Sequence, residues 1–131
     1  MLPTDSGKAV IAAIDHGLSH GMYERFENPQ ETLNRVLEGD PDGILAGVPF
    51  LRRFETTLAS QPDLVTIGTV DQLHDSTLPG EHEGAEIHHQ AFAVEEAARI
   101  GVDAIKTALV YDRNDPDVLA DNLKLVSQVS Q

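Results

Sequence analysis

The 131-residue chain has no cysteine. Disulfides, thiolate metal centres and a cysteine nucleophile are therefore excluded. Tryptophan is absent too, and aromatics make up only 5% of the residues. A core must be assembled from Val, Ile, Leu and Ala, and a hydrophobic fraction of 40% is enough for one. Cations are scarce: 9 Lys and Arg stand against 22 Asp and Glu, a formal charge of −13. Phosphate backbones are bound by clustered Lys and Arg, so no nucleic-acid partner is expected. The acid is spread along the chain rather than gathered in a tail, a surface that suits solubility at high salt. No run approaches the ~20 apolar residues of a membrane helix. The opening MLPTDSGKAV lacks the charged start and apolar stretch of a signal peptide. A cytoplasmic protein without a membrane partner is expected. Nucleotide and hydrolase signatures are missing as well. There is no Gly-x-Gly-x-x-Gly after the first apolar run, no P-loop and no serine nucleophile elbow.

What is present is a succession of short apolar runs and amphipathic segments. Lys8 to Ile14, KAVIAAI, closes on Asp15-His16-Gly17. Continuous apolar runs of this length read as strands buried on both faces, the habit of parallel sheets. Asn28-Pro29-Gln30-Glu31 reads as a helix start, with Asn28 as cap, Pro29 in the first turn and Glu31 at the capping-box position. Leu33, Val36 and Leu37 follow at helical spacing, and Gly39 ends the helix. Gly43 to Ala46 is a second strand. Pro49 to about Ala59 is a helix with Phe50, Leu51, Phe54 and Leu58 on its apolar side, and Asp63 to Thr69 is a third strand. Val70 to Ala85 reads as a long loop, of the kind that often carries function. Glu86 to Ile100 reads as a helix with Ile87, Ala91, Val94 and Ala98 in one stripe, ended by Gly101. Asp103 to Tyr111 is the fourth strand. Asp115-Pro116 opens a last helix with Leu119, Leu123 and Val126 on one side.

Four strand–helix units in succession, without insertion, imply parallel strands joined by right-handed crossovers. Doubly wound sheets and closed (β/α)8 barrels both use such units. A complete barrel takes ~250 residues, and this chain holds half the units. An open four-strand sheet would leave two unpaired apolar edges. The expected fold is α/β: a (β/α)4 half of a TIM (β/α)8 barrel, with residues 1–131 forming one partial domain.

Three groups of residues could carry chemistry. Asp15 lies at the carboxyl end of strand one, in phase with Ile11 and Ala13. Catalytic groups sit at that end in both fold types. There Asp15 would act as an acid, a base or an orienting carboxylate, or else simply cap the turn that follows. Gly17 and Gly21 suit a loop approached by a ligand, or an ordinary turn. Lys106 interrupts an otherwise apolar strand, in phase with Ala108 and Val110. Desolvated, it would suit amine chemistry on carbonyls; otherwise it pairs with a carboxylate such as Asp15. The third group is His-rich: His74-Asp75, His82-Glu83 and His88-His89. The types suit a metal but the spacing matches no recognised pattern, and surface histidines explain it better, so no metal and no cofactor are expected. Tyr111 ends strand four near the presumed mouth and could donate a proton or pack. Arg52-Arg53 could meet a phosphate or form a solvated helix face.

AVIAAIDHGLSHGMYERFENPQETLNRVLEGDPDGILAG resembles the first two units of the archaeal-type class I fructose-bisphosphate aldolases, and is similar to the related aminodideoxyheptulosonate synthases. The shared pattern is an apolar strand, Asp15-His16-Gly17, and a second glycine at Gly21. GVDAIKTALVYDRNDPD, from Gly101 to Asp117, resembles the fourth unit of the tagatose-bisphosphate aldolases, whose lysine at the place of Lys106 lies in the active site. The resemblance implies reversible aldol cleavage through a Schiff base formed on a phosphorylated ketose. It implies Asp15 as catalytic aspartate, Lys106 as an auxiliary cation, and substrate contacts at His16, Gly17 and Tyr111. The family's Schiff-base lysine lies on strand six and its phosphate-binding glycines on strands seven and eight, so this chain represents the amino-terminal half. A homo-oligomer is expected. The rival readings are a metal-dependent barrel enzyme using the His-rich loop, and a non-catalytic half-barrel that dimerises or binds a phosphosugar.

Overall fold

A computed structural model of the chain describes residues 7–17, 24–75, 86–108 and 116–130. The strands in chain order are β1 (Ile11–Ala13), β2 (Gly43–Gly47), β3 (Val65–Thr69), β4 (Asp71–Asp75), β5 (Glu86–Gln90) and β6 (Ala104–Lys106). The helices are α1 (Pro29–Glu38), α2 (Val48–Arg53), α3 (Glu55–Ala59), α4 (Val94–Arg99) and α5 (Pro116–Val129). β1, β2, β3 and β6 form a parallel sheet in that order, so each new strand joins the edge left by the last. The α/β class and the parallel four-strand sheet expected from the sequence are both present.

The helices cover one face of the sheet and build the core there. Ile44 and Ala46 of β2 are fully buried against Leu33 of α1 and against Leu51, Phe54 and Leu58. A second cluster joins Val48, Val70, Ala97 and Leu125. The opposite face follows from the pleat and the register: Ile11 faces Gly43 and Val65, Leu45 faces Ile67, and Thr69 faces Lys106. β2 needs glycine at residue 43. A Cβ there would lie 2.8 Å from Ile11 Cδ1 and 2.9 Å from the Val65 carbonyl oxygen. Backbone cannot yield as a flexible side chain can. Gly43→Ala is therefore expected to destabilise the fold by roughly 1–3 kcal/mol, read as a lower urea midpoint at unchanged slope.

Local rules account for α1. The Asn28 side chain accepts a hydrogen bond from the Glu31 backbone N–H at 3.2 Å, and Pro29 occupies the first turn. Gly39 ends the helix in a right-handed conformation; the left-handed turn falls on Asp40, at φ 47°. The second helix is broken at Phe54 (φ −111°, ψ 17°) into α2 and α3. Its apolar side survives the break, because Leu51, Phe54 and Leu58 still reach the core. Phe50 and Phe54 pack with ring centres 4.8 Å apart.

Several expectations fail. The segment after β3 is not all loop, and Glu86 does not begin a helix. β4 and β5 instead pair antiparallel from Asp71 opposite Gln90 to Asp75 opposite Glu86, an insertion in the strand–helix succession. The helix cannot start earlier than α4 because the Ala91 and Phe92 N–H groups both donate to the Val70 carbonyl, and Ala93 is extended (φ −70°, ψ 138°). The expected stripe shifts as a result: Ala97 is buried and Ala98 exposed. Gly101 does end the helix, at φ +74°. α5 is rotated from its expected face as well. Asn122 and Leu125 are buried, whereas Leu123 and Val126 are exposed. A polar residue holding a core position hid that stripe.

Candidate functional site

Four aspartates mark the ends of the parallel strands, and they divide by end. At the amino ends, Asp42 Oδ2 accepts from the Val10 N–H at 2.7 Å. Asp103 Oδ2 accepts from the Thr66 N–H at 2.8 Å and from its hydroxyl at 2.9 Å. These carboxylates staple backbone. At the carboxyl ends, Asp15 and Asp71 both meet a cation.

Asp15 follows β1 by two residues and keeps the phase of Ile11 and Ala13. Its Oδ2 accepts from the Thr69 hydroxyl at 2.9 Å. Lys106, the last residue of β6, places Nζ 3.6 Å from Asp15 Oδ2 and 3.7 Å from Asp71 Oδ1. Both distances exceed a close hydrogen bond but remain within ion-pair range. The lysine is thus held by charge from two sides. The exposure is graded: the side chain of Lys106 is 35% exposed, that of Asp15 15% and that of Asp71 1%. The cation is the most exposed of the three and Asp71 the least.

Asp71 is the residue that sequence reading missed, because it fell in a segment read as loop. Its Oδ2 accepts from the Thr107 hydroxyl at 2.7 Å and from the Ala108 N–H. The available signal was phase. Asp71 follows Thr69 by two, as Asp15 follows Ala13, so both strands end with a carboxylate on the same face.

The other candidates separate from this cluster. His16 and Gly17 follow Asp15 and are exposed. Tyr111, Gly21 and His82 lie outside the described residues. His88 and His89 are on strand β5 rather than on a helix. Among the described residues no group of His, Asp and Glu gathers as a metal would require. Arg52 belongs to a helix face and pairs with Glu96 at 3.1 Å. Arg53 lies over the Phe54 ring, 5.4 Å from its centre. Among the described residues no helix is long and apolar enough to cross a membrane.

An uncharacterized aldolase of Saccharolobus solfataricus is 24% identical to this chain over 125 residues. The match covers 95% of this chain and 46% of that protein, so the chain spans about half the length of the curated relative it matches. Residues 9–131 match the DeoC/LacD family aldolases, a span that includes every residue of the cluster. With a family match over nearly its whole length, the chain belongs to the DeoC/LacD family of aldolases.

Proposed function

We propose that this chain forms the first four strand–helix units of a (β/α)8-barrel class I aldolase acting on a phosphorylated ketose. The observation that carries the reading is the contact between Asp15 and Lys106. They stand at the ends of β1 and β6, the two outer strands of the sheet. Neighbouring strands are about 4.8 Å apart, so in a flat sheet three spacings would hold these strands roughly 14 Å apart. A 3.6 Å approach between their side chains fits a sheet curled toward one face, as a barrel wall is. In such a barrel the cluster would stand at the catalytic mouth.

In this reading the nucleophilic amine is supplied by another strand, as the resemblance to archaeal-type class I fructose-bisphosphate aldolases implies. That amine condenses with the ketone and releases water. Asp15 then takes the proton of the hydroxyl beside the breaking carbon–carbon bond; the aldehyde departs, and the remaining enamine is protonated before hydrolysis. Lys106 orients the hydroxyl and offsets negative charge developing on its oxygen. The phosphate would lie away from this cluster, because two carboxylates outnumber the one lysine there. His16 and Gly17, exposed directly after Asp15, would meet the sugar.

The test is reductive trapping in the natural full-length gene product. With fructose 1,6-bisphosphate or tagatose 1,6-bisphosphate, borohydride should inactivate the enzyme and add the mass of the reduced adduct to one lysine-containing peptide. Absence of trapping, together with activity lost to a chelator and restored by a divalent metal, would overturn the reading.

A further inference from the structure

We propose that Asp71 is a positioning residue for Lys106, acting on the reaction through the lysine and not by touching substrate. The inference rests on the aldolase reading above. Asp71 is buried, and a buried carboxylate is tolerated only when hydrogen-bonded and paired. Its two oxygens have separate duties. Oδ2 is locked by the Thr107 hydroxyl and the Ala108 N–H, the two residues that directly follow Lys106. That lock aims Oδ1 at Lys106 Nζ, 3.7 Å away. The carboxylate therefore grips the backbone just after the lysine and its side-chain tip together.

The root of the hairpin adds a second tie. Asp71 opens β4 opposite Gln90, and the preceding Val70 N–H donates to the Lys106 carbonyl at 3.3 Å. Lys106 is thus held from its own backbone, from the two residues after it and from its amine, all by Val70 and Asp71. The aspartates at the amino ends show what stapling alone needs: Asp42 and Asp103 cap backbone N–H groups from partly or fully exposed positions. Asp71 is buried and has a cation added.

The geometry supplies a sharp variant. In Asp71→Asn the amide oxygen can still accept from Ala108 and Thr107, so the staple persists. The amide NH2 then faces Lys106 Nζ, and an attraction becomes a clash of donors. In the full-length gene product, kcat for ketose-bisphosphate cleavage should fall about 10- to 100-fold, the range for a displaced catalytic group, while KM and the thermal midpoint change little. Within Lys106→Met, which has no amine to position, adding Asp71→Asn should change the residual kcat by no more than about twofold. Should Asp71→Asn alone fail to fold, this comparison of the double variant with Lys106→Met decides. A further loss of about tenfold or more in that background overturns the proposal, since contacts of independent residues add. So does wild-type kcat in folded Asp71→Asn while Lys106→Met is crippled, and then the aldolase reading stands without Asp71. Wild-type turnover in Lys106→Met removes the aldolase reading of the cluster itself, and the proposal falls with it.

Discussion

Replacing Lys106 by Met is expected to lower kcat for aldol cleavage by about 10²- to 10³-fold, the usual loss when a preorganised charge at developing negative charge is removed. Methionine keeps the length and the apolar stem and removes only the amine. The substitution leaves Asp71 buried beside an apolar group, so some stability is lost as well. That loss should be smaller than the ~3–5 kcal/mol of breaking a fully buried pair, because the lysine side chain is 35% exposed and its site is partly solvated. The informative measurement is trapping in the variant. If Lys106 is the auxiliary cation, borohydride still captures the ketose phosphate on another lysine while turnover collapses. Loss of trapping in a folded variant that still binds substrate would make Lys106 the nucleophile and reverse the assignment.

Asp15→Asn should lower kcat by about 10²- to 10⁴-fold, the span attributed to a positioned acid–base group. The carboxamide oxygen can still accept from the Thr69 hydroxyl that now bonds Asp15 Oδ2, so the fold should survive. KM should move little, because the proton is needed only as the bond breaks. Steady-state release of the aldehyde measures the loss, with a urea melt as control for folding. A variant that cleaves substrate within a few-fold of the parent would demote Asp15 to the turn cap that its strand-end position also allows.

The two substitutions probe one ion pair from either side, and their effects should not add. A residue that moves a proton and a cation that steadies the same oxygen act in one step. The double variant should be little slower than the worse of the two single ones. Full additivity would place the residues in separate steps.

The chain spans 46% of the Saccharolobus solfataricus aldolase, and the activity measurements are made on the full-length gene product. Stability tests such as Gly43→Ala report on the sheet itself, since both neighbours in that contact, Ile11 and Val65, belong to its strands.

Several features follow from the sequence because their causes are local. The parallel strands came from short apolar runs, and α1 from the Asn28 cap and the proline after it. The glycine stop at residue 101 and the phase of Asp15 and Lys106 along their strands are local too. Contacts across the chain are different. The β4–β5 hairpin is made of polar segments, DQLHD and EIHHQ, with no apolar alternation to announce them. Its existence depends on backbone pairing between segments and on the Val70 carbonyl, which takes the N–H groups a helix at Glu86 would have used. The face that α5 buries was hidden for a related reason: Asn122 sits in the core, and polarity alone points it outward. Asp71 needed the tertiary structure most. A carboxylate in a polar segment is ordinary by sequence. Only the tertiary structure, which brings the ends of β1, β3 and β6 together, makes it a buried group facing a lysine 35 positions away. What the sequence determined was that Asp15 would end the first strand and Lys106 would interrupt the fourth; packing across four strands decided that they meet, and that a second aspartate stands behind them.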